Sequence, residues 1–436
     1  MTKREPSCEA GKPICRRTVL ISGLALAAAA KASFPGGAYA QEASLETDSV
    51  RLGYIALTDA APLIIAKEKG LFAKHGLRNA EVLKQASWGS TRDNLVLGSD
   101  SGGIDGAHIL SPMPYLMSLG KITPNNVPLP MYLLARLNVD GQAISVANAH
   151  KTLGVGTSSA PLKEAFAQSR AAGREPKVAM TFPGGTHDLW MRYWLAAGGI
   201  DPDKDVSTIV VPPPQMVANM RVGTMDAFCV AEPWNAQLVS QNIGFTATTT
   251  AAIWPRHPEK ALAIRADWID KHPKAAEAVL KAVLEAQRWC DVPDNHEEMC
   301  RIMAARAWLN VPVADILPRQ RGEYDYGIDG RQTRDDTGAM KFWRDHASFP
   351  FRSHDLWFLV ENMRWGKLES TLDLAALIAR VNRSDLWRSA AGAIGVASNE
   401  IPGSDSRGPE RFFDGKVFDP GNPESYLAGL DIKRLS

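Results

Sequence analysis

Trp88, Gln142, His187 and Lys260 are of the right chemical types, at the right places in the chain, to hold a small anion. A flat oxyanion offers only hydrogen-bond acceptors, so a pocket for it needs donors, at least one cation and a flat apolar wall that excludes water. Trp88 precedes Gly89, Ser90 and Thr91 between a strand and a helix start, where backbone N–H groups converge on an anion. Alone, the same residue reads equally well as a packing tryptophan. Gln142 stands where the chain leaves its first α/β unit, a place where a solvated hinge amide would look identical. The sharpest run is Phe182, Pro183, Gly184, Gly185, Thr186, His187, Asp188. Its paired glycines allow close backbone approach, Thr186 can cap, and His187 falls in the first helical turn, aimed at the strand ends. A lone histidine is more often structural, and the Gly-Gly helix entry is what favours a functional one here. Lys260 opens an apolar strand over residues 261–264 and by itself would pass for a surface lysine.

The surrounding pattern supplies elements to position these groups. Residues 50–57 alternate like a strand, Thr58 and Asp59 offer capping side chains, and Pro62 suits the first turn of a helix whose apolar stripe over 63–72 is closed by Gly76. Strand-to-helix units follow at 81–97 and 104–119, then strands at 131–137 and 143–147. After Ala149 the rhythm restarts. Strands are predicted at 153–156, 178–181, 207–211, 227–230 and 244–249, with helices at 162–172, 186–197 and 215–222. From Lys260 the text becomes mostly helical, with three-to-four spacing over 273–290, 299–309, 339–346 and 372–381. Two successive α/β units predict two lobes with a cleft between them. The expected division is 1–40 as a leader, 49–146 and 255–400 as the first lobe, 147–254 as the second, and 401–436 as an irregular tail.

Composition narrows the function. The 436 residues are 45% apolar and 22% charged, with a net charge of +1 and no basic run of the kind a phosphate backbone demands, which argues against nucleic acid as a partner. Residues 1–40 carry Arg16 and Arg17 before a short apolar stretch and end in Ala38, Tyr39, Ala40, the pattern of a cleavable twin-arginine export signal. The apolar run is too short to span a bilayer, and no cysteine follows it to take a lipid, so a soluble exported product is expected. Beyond it, 43 basic and 46 acidic side chains leave −3, so any preference for an anion must be built locally. Cys8 and Cys15 leave with the leader, while Cys290 and Cys300 could bridge in an oxidising compartment and Cys229 reads as a small buried hydrophobe. The sequence has no phosphate loop, dinucleotide fingerprint, GxSxG elbow, HExxH or metal knuckle, which points to binding without a cofactor or metal and away from catalysis.

Longer runs carry a resemblance. LGYIALTDAAPLIIAKEKGLFAKHGL from Leu52, DGAHILSPMPYLMSLG from Asp105, TFPGGTHDLWMRYWLAAGGIDPDKD from Thr181 and VANMRVGTMDAFCVAEPWNAQL from Val217 are similar to the nitrate and bicarbonate solute-binding proteins of ABC importers. The likeness extends from about Ser49 to the FDPGNPESY near Phe418. It implies an α/β, two-lobed periplasmic-binding-protein clamp, type II-like, that delivers an anion to an ABC permease. By position, Trp88, Gln142, His187 and Lys260 match the residues lining the nitrate pocket of that family, with Gly185 and Thr186 supporting them. Members resembling bicarbonate binders carry an acidic residue in place of Lys260 and recruit calcium, so the lysine implies nitrate and an all-donor site. Glu232, in the AEPW run, is then the nearest acidic candidate, expected to hold Lys260 or backbone groups. Bicarbonate, nitrite, cyanate or a sulfonate remain alternative ligands. An enzyme on a related scaffold with His187 as base is the rival class, against which a leader for export argues.

Overall fold

Ten short strands form two five-stranded sheets, and the path between the sheets explains their geometry. The computed structural model describes residues 44–334 and 338–435; the expected leader, with Cys8 and Cys15, lies outside the described residues. The first sheet contains β1 (Ser49–Tyr54), β2 (Asn79–Lys84), β3 (Gly106–Leu110) and β4 (Met131–Arg136). The chain then crosses to the second sheet, built from β5 (Gln142–Ala147), β6 (Lys177–Met180), β7 (Ser207–Val210), β8 (Ala227–Ala231) and β9 (Gly244–Thr249). A return crossing delivers β10 (Lys260–Arg265) to the first sheet.

The strand orders are β2-β1-β3-β10-β4 and β7-β6-β8-β5-β9. In each sheet the strand that enters from the other lobe runs antiparallel to its neighbours, β10 against β3 and β4, β5 against β8 and β9. The remaining pairings are parallel, as crossover helices require. The two crossings are themselves paired: Leu137 N–H donates to Lys260 O at 2.7 Å, Glu259 N–H to Asn138 O at 3.2 Å and Asp140 N–H to His257 O at 3.0 Å. A two-stranded ribbon therefore joins the lobes. Residues 142–146, assigned by pattern to the first lobe, belong to the second sheet, because the chain crosses one turn earlier, at Asp140 and Gly141, both with positive φ.

Five helices matter for the site or its support. These are α1 (Ala61–Glu68), α2 (Trp88–Leu97), α3 (Thr186–Ala197), α4 (Pro273–Cys290) and α5 (Arg352–Arg364). α3 buries every residue from Thr186 to Leu195, and Trp190 stacks on Trp357 of α5 at 5.0 Å between ring centroids. The core of the second lobe thereby recruits Trp357 and Phe358, and from the C-terminal segment Phe412, Phe418 and Tyr426.

The helix expected at 299–309 runs instead from His296 to Ala304, and three further elements differ in type or are broken. Residues 153–156 close a 3₁₀ helix, Asn148–Leu153, at Gly154 with φ +72°. The stripe over 63–72 is cut after Glu68 by Gly70, φ +67°, into α1 and a single turn, Leu71–Lys74. Residues 339–346 are not an α-helix, because Lys341 exchanges backbone hydrogen bonds with Val139 of the crossing, leaving only a 3₁₀ turn at Arg344–His346. Cys229, Cys290 and Cys300 are buried as separate thiols. Among the described residues, no helix is long and apolar enough to cross a membrane.

Candidate functional site

The four residues singled out by type and spacing converge, each brought by a different piece of the topology. Lys260 is the first residue of β10, paired with Leu110 at the carboxyl end of β3, the edge where open α/β sheets hold ligands. Trp88 opens α2 directly after β2, where Ser87 caps the helix by accepting from Ser90 N–H. Gln142 is the first residue past the crossing into the second lobe. His187 lies in the first turn of α3, after the Phe182–Gly185 turn in which Gly184 adopts φ +73°.

Lys260 Nζ lies 3.4 Å from His187 Nε2 and 5.9 Å from the centre of the Trp88 ring. His187 Nε2 is 2.8 Å from Gln142 Oε1, and its Nδ1 is 2.6 Å from Thr181 Oγ1. The indole N–H of Trp88 is buried and meets no acceptor among the described residues. The lobes close over this cluster so completely that Trp88, His187 and Lys260 have no exposed surface and Gln142 has 1%.

Two carboxylates share the site, so it is not built from donors alone. Asp59 accepts from Lys260 Nζ at 2.9 Å, Gln142 Nε2 at 3.2 Å and His108 Nε2 at 2.6 Å. Glu259 accepts from Lys260 Nζ at 2.9 Å, from Trp190 Nε1 at 2.7 Å and from the Thr186 hydroxyl. Burial works against charge on Asp59, but Lys260 and His108 outweigh it and hold the carboxyl below its ordinary range. Burial likewise works against the Lys260 ammonium, and the two carboxylates more than compensate, so its pKa is raised. Burial raises Glu259, with Lys260, Thr186 and Trp190 opposing. His187 is pushed well below the usual histidine value, first by burial and then by Lys260.

Of the supporting residues, Gly185 and Glu232 keep an expected role, close approach and a backbone contact, while Thr186 changes its role. Thr186 does not cap α3, since Gly185 occupies the N-cap and the Thr186 hydroxyl goes to Glu259. Gly185 serves close approach: a Cβ there would lie 2.5 Å from Leu110 Cδ1 of the first lobe. Glu232 does not hold Lys260. Its carboxylate pairs with Arg319 at 3.3 Å and accepts from Ala236 N–H, and its carbonyl accepts from Thr58 N–H and Oγ1 across the lobes. The acids beside the lysine are Asp59 and Glu259.

Pattern reading missed Asp59, His108 and Glu259. Asp59 looked like a helix cap, yet it follows β1 at the same sheet edge that Lys260 occupies. His108 is a polar residue inside the wholly buried strand β3, itself a signal of a partner. Among the described residues, no group of three or more His, Cys, Asp or Glu is placed to hold a metal ion.

Two α/β sheets joined by a paired double crossing, with a buried polar cluster drawn from both, define a two-lobed clamp of the periplasmic-binding-protein class. The model of the NMT1-like family matches residues 43–304. The chain belongs to that family. It is 60% identical over 391 residues to the nitrate/nitrite binding protein NrtA of Synechocystis sp., covering 89% of this chain and 86% of the relative. It is 45% identical over 398 residues to the bicarbonate-binding protein CmpA of Synechococcus elongatus, covering 89% and 88%. The crystal structure of the periplasmic nitrate-binding protein NrtA from Synechocystis superposes with a TM-score of 0.87 at 59% identity, covering 89% of this chain and all of that one.

Proposed function

We propose that this chain is the periplasmic solute-binding component of an ABC importer, and that it captures nitrate between its lobes for delivery to a permease. The observation that carries the reading is the convergence of Lys260 and Gln142 on His187, 3.4 and 2.8 Å from its Nε2, beside the unpartnered Trp88 N–H. A buried donor without an acceptor costs about 1–3 kcal/mol, a cost that an anion oxygen would relieve. The crossings at 137–141 and 254–259 serve as the hinge, and Trp88, Gln142, His187 and Lys260 line the ligand.

Nitrate is favoured over bicarbonate by Lys260: its ammonium donates to any oxygen of nitrate, whereas members resembling bicarbonate binders carry at that position an acidic residue that accepts from the bicarbonate hydroxyl. The greater identity to the nitrate/nitrite-binding relative than to the bicarbonate-binding one supports the same choice.

Nitrate has four heavy atoms, so even about 1.5 kcal/mol per atom yields roughly 6 kcal/mol, short of the roughly 8 kcal/mol that micromolar affinity needs. Charge-assisted bonds in a dry, closed cleft must supply the rest. The test is calorimetry of the purified protein with nitrate, nitrite and bicarbonate, together with ion chromatography of ligand released on denaturation. Nitrate recovered, with the strongest heat, is the expected result; bicarbonate binding alone would overturn the assignment.

A further inference from the structure

The site contains enough carboxylate to make anion capture a charge problem, and its hydrogen bonds show where the answer lies. With its histidines neutral, the buried cluster carries one ammonium, Lys260, and two carboxylates, Asp59 and Glu259. A monoanion placed beside Lys260 would add a second uncompensated negative charge in a water-excluded cleft, a cost that favours uptake of a counter-charge.

The direction of each hydrogen bond can be followed from Asp59. An ionised carboxylate only accepts, so Gln142 must turn its NH₂ to Asp59 and its carbonyl oxygen to His187. His187 must then carry its hydrogen on Nε2 and donate to Gln142. Two donors, His187 Nε2–H and the Lys260 ammonium, consequently face each other at 3.4 Å, a pair that repels until an acceptor comes between or beside them. The other ring nitrogen, Nδ1, accepts from the Thr181 hydroxyl at 2.6 Å. A hydroxyl both donates and accepts, so Thr181 can reverse its role and receive a proton from Nδ1–H without losing the contact.

We infer that capture of the monoanion takes up one proton, bound at His187 Nδ1, with Thr181 reversing its hydrogen bond and Asp59, through Gln142, setting the tautomer that makes Nδ1 the accepting nitrogen. The buried charge is then the same before and after capture. The charged and titratable groups acting on His187 are Lys260, Glu259 and Asp59, with His108 and His257. Lys260, His108 and His257 disfavour its protonation, and the arriving anion adds to the opposing pull of Asp59.

This inference rests on nitrate being the ligand, and one experiment separates the two. Nitrate is titrated calorimetrically into the mature protein near neutral pH in two buffers of contrasting ionisation enthalpy, such as PIPES and imidazole. The apparent enthalpies should differ by about one buffer ionisation per nitrate bound, and affinity should fall by up to about tenfold per pH unit above that point. Nitrate binding with equal enthalpies in both buffers would overturn the inference and leave the proposed function standing; no nitrate heat at all would overturn both. Imidazole ¹⁵N spectra then locate the proton: His187 becoming an imidazolium supports the assignment, and a His187 that stays neutral sinks it. Asp59→Asn removes one negative charge, so its nitrate affinity should lose most of its pH dependence; an undiminished dependence would count against the charge argument.

Discussion

Lys260 and Arg136 are neighbours in one sheet, both without solvent exposure, yet they are solved in opposite ways. Arg136 of β4 pairs in register with Ala261 of β10, so by strand alternation it projects to the face opposite Lys260. It meets Asp355 of α5 in an ion pair, and Asn382 donates to the other oxygen of that carboxylate at 2.7 Å. The pair is internal to the packing around β4 and uses a planar, permanently charged group. Lys260 instead sits where the lobes meet, a point charge shared between Asp59 and Glu259 and set 3.4 Å from His187 Nε2. A shared ammonium can reapportion its bonds to an arriving anion, and a guanidinium locked onto one carboxylate holds structure. Burial of a cation, taken alone, does not mark a site; the provenance of its partners does.

The sharpest way to break this contrast is Asp355→Ala. It leaves Arg136 buried without its counter-ion and should cost about 3–5 kcal/mol of stability, seen in the denaturant midpoint, with nitrate affinity of the folded fraction unchanged. Lys260→Ala should do the reverse, losing about 2–5 kcal/mol of nitrate binding by calorimetry. Its stability should suffer less than that of the Asp355 variant, because the stranded carboxylates can reach water by the lobes opening, visible as a larger radius of gyration in scattering. Equal stability losses would erase the distinction.

Each region also contains a buried histidine whose pKa is depressed. His257, 3.8 Å from Glu259, is pushed down to about 3, first by burial, with the Pro258 carbonyl opposing. His354, on α5 one position before Asp355, is pushed down to about 3 by burial and then by Arg407. The unfolded chain takes up these protons near about 6.5 and the folded one only near about 3. Between those values the unfolded state binds more protons, so stability should drop as pH falls, by up to about 1.4 kcal/mol per unit per histidine. Melting curves of His257→Gln and His354→Gln should each show a shallower acid decline than the parent.

Gly185→Ala tests closure itself. The added methyl meets Leu110 of the other lobe, and overpacking of about 1–3 kcal/mol should weaken nitrate binding while leaving each lobe folded. Smallest of all, Trp88→Phe keeps a ring near Lys260 and deletes the unpartnered N–H, so a loss of about 1 kcal/mol of nitrate affinity is expected, with little change in melting temperature.

Much of this was legible in order along the chain. The α/β rhythm, its restart after Ala149, and the Gly-Gly entry to α3 are local signals, written in periodicity and in residues that tolerate special backbone angles. Trp88, Gln142, His187 and Lys260 were legible by type and by resemblance. Asp59 was visible only as a cap, and Glu259 drew no notice beside Lys260, because a carboxylate's role depends on which cation faces it and sequence distance says nothing of that. Lys260 lies 201 positions from Asp59, and 73 from His187.

By itself the sequence determined most of the strands and helices, that two units of one kind follow each other, and which donors the chain could offer an anion. Only the tertiary structure decided that the two entering strands run antiparallel, that Glu232 serves Arg319 and the backbone, and that Lys260 is balanced by two acids. The physical reason is range. Propensity and capping act over a few residues, while charge balance in a dry cleft is summed over whatever groups the double crossing happens to fold within a few ångströms of one another.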